Sequence, residues 1–128
     1  MNLHDAALTA AGLIGSAVAV RHGFLTQRLM VQPLQKLASP RIAVPIQRLA
    51  AGLLHFSTFN WFVGGLALIL AGYALEREAR LVTGVLVGSS YLFGALANLW
   101  TSRGWNPGWV LYGVALLLIG YGLGQPAG

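Results

Sequence analysis

Two histidines and a few polar side chains in apolar surroundings are the residues of this sequence that could do chemistry. His22 and His55 border or interrupt long apolar stretches, where an imidazole can ligate a metal, hydrogen-bond a ligand or carry a proton. The other candidates for ligand or partner binding are Thr58, Asn60, Asn98, Trp100 and Arg103. Polar side chains at membrane depth normally face protein, water or a ligand rather than lipid. We therefore expect these residues to mark contact surfaces.

The two histidines allow two interpretations. Paired imidazoles from neighbouring helices are what a b-type haem requires, and the same side chains can hydrogen-bond a quinone. In the other interpretation His22 is an interfacial residue and His55 an interhelical hydrogen bonder, which we favour because the two are offset in depth. We thus predict no bound cofactor and no metal ion, and keep haem b or quinone binding through His22 and His55 as the alternative.

Catalysis has little support in the residues. The chain has no cysteine, which excludes disulfides, thiolate metal sites and thiol nucleophiles. It also lacks an HExxH metal motif and a carboxylate in the interior of its apolar stretches. Ser57 lies two residues from His55, and side chains at that spacing on a helix point apart. We therefore favour a non-enzymatic protein and predict no catalytic residue.

Composition indicates an integral membrane protein. Of the 128 residues 56% are hydrophobic and only 9% are charged, whereas a soluble domain carries about a quarter charged residues. The net charge of +5 comes from basic residues that lie mostly between apolar segments, where they orient the protein and attract anionic lipid. Nucleic-acid binding is therefore excluded.

The apolar segments predict a single all-α domain over residues 1–128, an integral membrane bundle of four transmembrane helices. The spans lie at about residues 3–20, 50–75, 81–101 and 109–124. Between the first and second lies a basic segment without acidic residues, which we interpret as an interfacial helix in the headgroup region, interrupted at Pro33. Pro40 and Pro45 are expected to keep the chain extended before the second span.

Small residues predict where the helices touch. The expected packing glycines are Gly15, Gly64, Gly84, Gly88 and Gly120. Ala11, Gly15, Val18 and His22 share one stripe of the first span, and Gly113, Leu117, Gly120 and Gly124 share one face of the last. His55 and Asn60 lie on different faces of the second span. We therefore expect both faces to be covered, with this span at the centre of the bundle.

The distribution of basic residues predicts the orientation. Most Lys and Arg residues lie in the first and third connections, which the positive-inside rule places in the cytoplasm of a bacterium. Both termini would then lie on the periplasmic or extracellular side of the inner (cytoplasmic) membrane, and the first helix would be retained rather than cleaved. This orientation brings His22, His55, Asn98, Trp100 and Arg103 to the inner leaflet.

Three short motifs resemble a known family. They are RHGFLTQRLMVQPL with His22, Arg28, Pro33 and Leu34, LLHFSTFNW with His55, Ser57, Thr58 and Trp61, and SRGWNPGW with Arg103, Gly104, Pro107, Gly108 and Trp109. Together they are similar to a family of small uncharacterised bacterial four-helix integral membrane proteins. The resemblance implies the four-helix architecture and points to these residues, and it implies no activity.

Our leading hypothesis is an accessory subunit of a larger inner-membrane assembly, or a homo-oligomer, that holds a lipid-like ligand or a partner helix. Its partners would be membrane lipids and either other membrane subunits or further copies of itself. The first alternative is the redox protein described above. The second is a small transporter, because GLALILAGY and GVALLLIGY, at residues 65–73 and 113–121, could derive from a duplicated hairpin.

Overall fold

The computed structural model describes residues 2–37, 42–102 and 107–124, and these residues are almost entirely helical. The elements are α1 Leu3–Thr26, a π-helical turn Gln27–Val31, α2 Gln32–Leu37, α3 Val44–Tyr73, α4 Arg77–Ser102 and α5 Pro107–Leu123. The predicted all-α class is therefore confirmed for this part of the chain.

The first rod runs without a break through α1, the π turn and α2, over Leu3–Leu37. It begins at a capping box, in which the Asn2 side chain accepts from the Asp5 amide at 2.9 Å and the Asp5 carboxylate accepts from the Asn2 amide at 3.2 Å. The predicted interruption at Pro33 is absent. A proline ring clashes with the carbonyl four residues earlier, and that carbonyl lies inside the widened π turn, which accommodates the ring.

The second rod begins earlier than the hydropathy suggests. α3 starts at Val44 and carries Pro45 in its first turn, so the expectation that Pro45 keeps the chain extended is wrong. Proline is favourable there because the first turn of a helix needs no amide donors. Pro40 lies outside the described residues.

Three helical segments are long and apolar enough to cross a membrane, namely Leu3–Leu37, Val44–Tyr73 and Arg77–Trp100. The fourth apolar helix, Pro107–Leu123, has 17 residues and a length of about 26 Å, close to the roughly 30 Å of a hydrocarbon core. Composition and helix length thus agree on a membrane protein.

The four rods pack in a ring in the order α3, α1, α5, α4. The α1–α3 contact is the most extensive, and the α3–α4 contact is the smallest of the four. The first rod, rather than the predicted second span, therefore makes the largest share of the contacts. Helices that follow one another along the chain run in opposite directions because the connections between them are short. α1 and α5 are antiparallel as well, since His4 at the start of α1 contacts Tyr121 near the end of α5.

Two contacts identify the end of the bundle that carries the N-terminus. Arg80 Nη1 lies 2.7 Å from Asp5 Oδ1, with 13% and 17% of the two side chains exposed. His4 Nδ1 lies 2.8 Å from the carbonyl oxygen of Tyr121, and the two rings stack with centroids 4.6 Å apart. We call this the Asp5 end, and the opposite one, where α1 meets the π turn, the His22 end.

Glycines set most of the close helix contacts. Gly12 and Gly65 bring α1 and α3 together, and a Cβ at either would collide with the backbone of the other helix. Gly15 lies against Tyr91, Gly64 against Val87 and Gly84 against Leu123, while Gly88 lies near Ile119 and Leu116 with room for a methyl group. The predicted α1 stripe is buried at Ala11, Gly15 and Val18.

The last helix packs through a different face from the expected one. Its buried residues are Tyr112, Ala115, Ile119 and Gly122, whereas Leu117 is 77% exposed. Nothing lies within 4 Å of a Cβ built at Gly113 or Gly120. Gly120 therefore makes no close helix contact within the described chain. Glycines occur on both faces of this helix, so small size alone could not identify the packed one.

Candidate functional site

A buried hydroxyl and imidazole cluster joins α1 to α3 at the His22 end. His22 Nε2 lies 3.1 Å from Ser57 Oγ and 3.3 Å from Thr26 Oγ1. Thr26 is only 2% exposed and His22 is half-buried. An unprotonated Nε2 has one lone pair, which can accept the hydroxyl proton of either Thr26 or Ser57, and Nδ1 then carries the ring proton. That tautomer leaves His22 Nδ1 as a donor, and it has no hydrogen-bond partner among the described residues.

Aromatic rings fill the bundle directly next to this cluster. The His22 ring meets the edge of Trp61 at a centroid distance of 4.8 Å, and Trp61 meets Tyr112 at 5.1 Å. Tyr91 lies 4.9 Å from Tyr112 and donates its hydroxyl proton to the carbonyl oxygen of Trp61 at 3.3 Å. Gly94 provides the space for the indole ring of Trp61. Such pairs add to the burial energy of the rings.

Tyr112 brings a further polar group without a partner into this region. Its side chain is fully buried, and its hydroxyl group has no hydrogen-bond partner within the described ranges. A buried hydroxyl without a partner costs about 1–3 kcal/mol, so such a group usually meets water or a ligand.

A small cavity opens beside these residues. It has a volume of about 80 Å³ and is lined by Val18, Arg21, His22, Leu25, Asn98, Gly108, Leu111 and Tyr112. We call it the His22 cavity. Its polar lining comes from a guanidinium, an imidazole, an amide and a phenol, and the described part of the chain contributes no carboxylate to it. The cavity has room for a few water molecules or one small polar group.

An apolar groove continues from this cavity along the outside of the bundle. The groove between α1 and α5, about 250 Å³, is lined by Ile14, Ala17, Val18, Arg21 and Leu111. Three of these residues, Val18, Arg21 and Leu111, also line the His22 cavity. Arg21 thus stands where a polar chamber meets an apolar surface.

His55 lies in a different cavity from His22. Its Nε2 is 2.8 Å from Gln27 Oε1, an acceptor, so Nε2 carries the proton. Gln27 is the first residue of the π turn, and π turns are often associated with functional positions. The cavity beside His55 is lined by Val20, His55, Thr58, Phe59 and Phe62. Thr58 Oγ1 is buried there without a partner in the described chain.

The two histidines are not arranged as free axial ligands. Both Nε2 atoms already hydrogen-bond side chains of this chain, at 3.1 Å to Ser57 and 2.8 Å to Gln27. A haem between them would have to break both bonds. In the described ranges, no group of three His, Cys, Asp or Glu side chains could hold a metal ion.

Asn60 occupies a third place, at the α3–α4 contact. Its Nδ2 donates to Ser90 Oγ of the neighbouring helix at 3.0 Å. The Asn60 side chain is nevertheless exposed, so this face of the second span is not covered as expected. The open groove around this pair has a volume of about 390 Å³. We call it the α3/α4 groove.

The seven residues predicted from sequence therefore separate. Asn98 joins His22 in one cavity, His55 and Thr58 share a second, and Asn60 lies in a third. Trp100 is 84% exposed and lines none of these three cavities, and Arg103 lies outside the described residues.

Four residues around His22 were not among the predicted site residues. Arg21 and Tyr112 line the His22 cavity, and Thr26 and Ser57 are the hydroxyl partners of the His22 imidazole. A signal existed for Arg21, which directly precedes His22. For Tyr112 the signal is weaker, because it is one of two phenols in the most apolar helix.

No protein-family model matches the chain, and neither curated proteins nor solved structures include a significant match. The resemblance to small four-helix membrane proteins therefore stays a prediction.

Proposed function

We propose that this chain is a non-enzymatic integral membrane protein that binds an anionic amphiphile, with the headgroup in the His22 cavity and the apolar chain in the α1/α5 groove. The observation that carries this proposal is the shared wall of the two spaces. Val18, Arg21 and Leu111 line both, so one molecule can occupy both at once.

The lining of the cavity favours an anionic headgroup. Arg21 supplies a permanent positive charge. Tyr112 lines the same cavity, and its buried hydroxyl group has no hydrogen-bond partner in the described chain. Charge-assisted hydrogen bonds to a phosphate or carboxylate are stronger than those between neutral groups. Among the described residues that line the cavity there is no carboxylate that would repel an anion.

The groove favours a hydrocarbon chain. Ile14, Ala17 and Leu111 present only apolar atoms, and each methylene group removed from water contributes about 0.8 kcal/mol. In a bilayer this gain is absent because the surroundings are equally apolar. The groove therefore selects the position of the chain, and the headgroup contacts supply the affinity.

We also propose a membrane orientation and a partner for the protein. The distribution of basic residues supports an orientation with the His22 end at the cytoplasmic face of a bacterial inner membrane, where anionic lipids are available. The role that we propose is that of an accessory subunit that presents a bound lipid to a larger assembly.

Mass spectrometry of the purified protein tests the proposal. We expect a co-purifying anionic lipid or fatty acid that survives mild detergent, and an approximately tenfold loss of its occupancy in Arg21→Gln. The matched control is Arg28→Gln, because Arg28 is exposed and lines neither the cavity nor the groove. Ala17→Phe fills the groove without touching the polar cluster, and Leu13→Phe is its control on the same helix.

Three results would overturn the proposal. A protein that purifies without amphiphile and binds none from vesicles that contain anionic lipid contradicts it. So does equal occupancy in Arg21→Gln and Arg28→Gln. A visible haem spectrum or a bound quinone that disappears in His22→Ala would favour the redox alternative instead.

A further inference from the structure

The middle of the α3–α4 contact leaves polar atoms open toward the surroundings of the bundle. Asn60 lies about 24 Å from the start of α3 and about 20 Å from its end, and Ser90 lies near the middle of α4. Asn60 Nδ2 donates to Ser90 Oγ at 3.0 Å. Yet the Asn60 side chain is exposed, so this pair faces outward.

The hydrogen-bonding capacity of the pair is only partly used. An asparagine amide has two donor hydrogens and an oxygen that accepts two bonds, and a serine hydroxyl also has one proton to donate. Within the described residues, neither side chain makes a hydrogen bond other than the one between Asn60 and Ser90. Asn60 Oδ1, one amide hydrogen and the Ser90 proton therefore remain without partners in the described chain. At the centre of a membrane no water satisfies them.

The groove around the pair is shaped to receive another helix. Its walls are Val63, Gly64 and Ala67 on α3 and Leu86 and Val87 on α4, with Tyr91 at the base. The contact between these two helices is the smallest in the ring. The groove also lies on the opposite side of the ring from the α1/α5 groove, so its occupant is independent of the amphiphile.

We propose that a second copy of this chain docks on the α3/α4 groove, with Asn60 and Ser90 of both copies at the centre of the contact. The amide group favours a second copy because it is self-complementary: the donor of one Asn60 meets the acceptor of the other across a two-fold axis. Such reciprocal pairing satisfies the open groups of both chains at once. A lipid chain in the same groove leaves them unsatisfied.

Single-cysteine cross-linking in native membranes tests this interface, because the chain has no cysteine of its own. Val63→Cys places a thiol on the groove wall, at a residue that is 44% exposed. Leu117→Cys is the matched control, a still more exposed position on α5, across the ring from α3. We expect covalent dimers from Val63→Cys on oxidation and none above background from Leu117→Cys.

Removal of the polar pair tests the chemistry of the contact. Asn60→Leu and Ser90→Ala are each expected to weaken association by about tenfold, measured as cross-linking yield of Val63→Cys and as dimer fraction in native mass spectrometry. Ser89→Ala is the control, because the Ser89 hydroxyl donates to the Val85 carbonyl of its own helix at 2.7 Å. It should leave association unchanged.

The proposal is overturned by a folded protein that stays monomeric in membranes, by equal cross-linking at residues 63 and 117, or by association that is insensitive to Asn60→Leu. Cross-linking of Val63→Cys to a different protein would assign the groove to another subunit. None of these outcomes bears on lipid occupancy at Arg21, so the two proposals fail separately.

Discussion

Gly15 on α1 lies directly against the hydroxyl end of Tyr91 on α4, and a Cβ at residue 15 would overlap the phenol ring. α1 and α4 are not neighbours in the ring of helices, so Tyr91 reaches through the middle of the bundle. There its hydroxyl group donates to the carbonyl oxygen of Trp61 on α3. One side chain thus links three helices, and only a glycine on α1 leaves space for it.

Gly15→Ala should therefore destabilise the bundle. Overpacking of a tight core costs about 1–3 kcal/mol, because Tyr91 must leave its place and lose its hydrogen bond. Gly120→Ala is the matched control, since nothing lies within 4 Å of its Cβ, and it should stabilise by up to about 1 kcal/mol through helix propensity. Thermal or SDS-induced unfolding in detergent measures both. Similar stabilities for the two variants would contradict the packing described here.

The ion pair at the Asp5 end should couple α1 to α4. Arg80 donates to Asp5 at 2.7 Å and also to the carbonyl oxygen of Gly72 at 3.4 Å. Asp5→Arg and Arg80→Asp are each expected to lower the unfolding temperature, and the double swap should recover part of the loss. Glu78→Arg, at an exposed residue in the first turn of α4, serves as the control. Additive losses in the double swap would show that the pair contributes no coupling.

The hydrogen bond from His55 to Gln27 should stabilise the π turn. Gln27→Leu removes the acceptor at 2.8 Å and leaves a partly buried imidazole donor unpaired, which costs about 1–3 kcal/mol. Gln32→Leu is the control because Gln32 is exposed one turn further along the rod. Hydrogen exchange of the amides of Gln27–Val31 should accelerate in the first variant and not in the second. Equal protection in both would mean that the turn is held by the backbone alone.

Hydropathy predicted the helices well because the membrane imposes a simple rule, that backbone polar groups must be satisfied within the segment. It could not predict the helix ends. The sequence predicts an interruption at Pro33 and an extended chain at Pro45. Instead, Pro33 lies just beyond a π turn, and Pro45 lies in a first turn, where a missing amide is tolerated. Both outcomes depend on the backbone around the proline and not on the proline itself.

The candidate site was only partly predictable. Helical periodicity correctly separated His55 from Asn60, which now contact different helices. It could not bring Tyr112 to His22, because that proximity depends on which face of α5 turns inward. The positions of glycines did not identify the inward face of α5. Gly65 in the first of the two similar segments packs against α1, whereas Gly113 at the matching place in the second segment has open space. Similar sequences thus occupy different environments.

The predicted orientation in the membrane can be tested by labelling, because the contacts at the Asp5 end show which segments lie on the same side. Asp5 pairs with Arg80, and His4 stacks on Tyr121, so the N-terminus, the turn between α3 and α4, and the end of α5 lie on one side. The positive-inside rule places that side outside the cytoplasm.

In intact bacterial cells an impermeant maleimide should label Glu78→Cys, and Lys36→Cys only after permeabilisation. Both residues are exposed, and the cysteine-free parent provides the blank. The reverse pattern would invert the orientation and move the His22 cavity to the outer leaflet, whereas labelling of both residues from one side would contradict the crossing of α3.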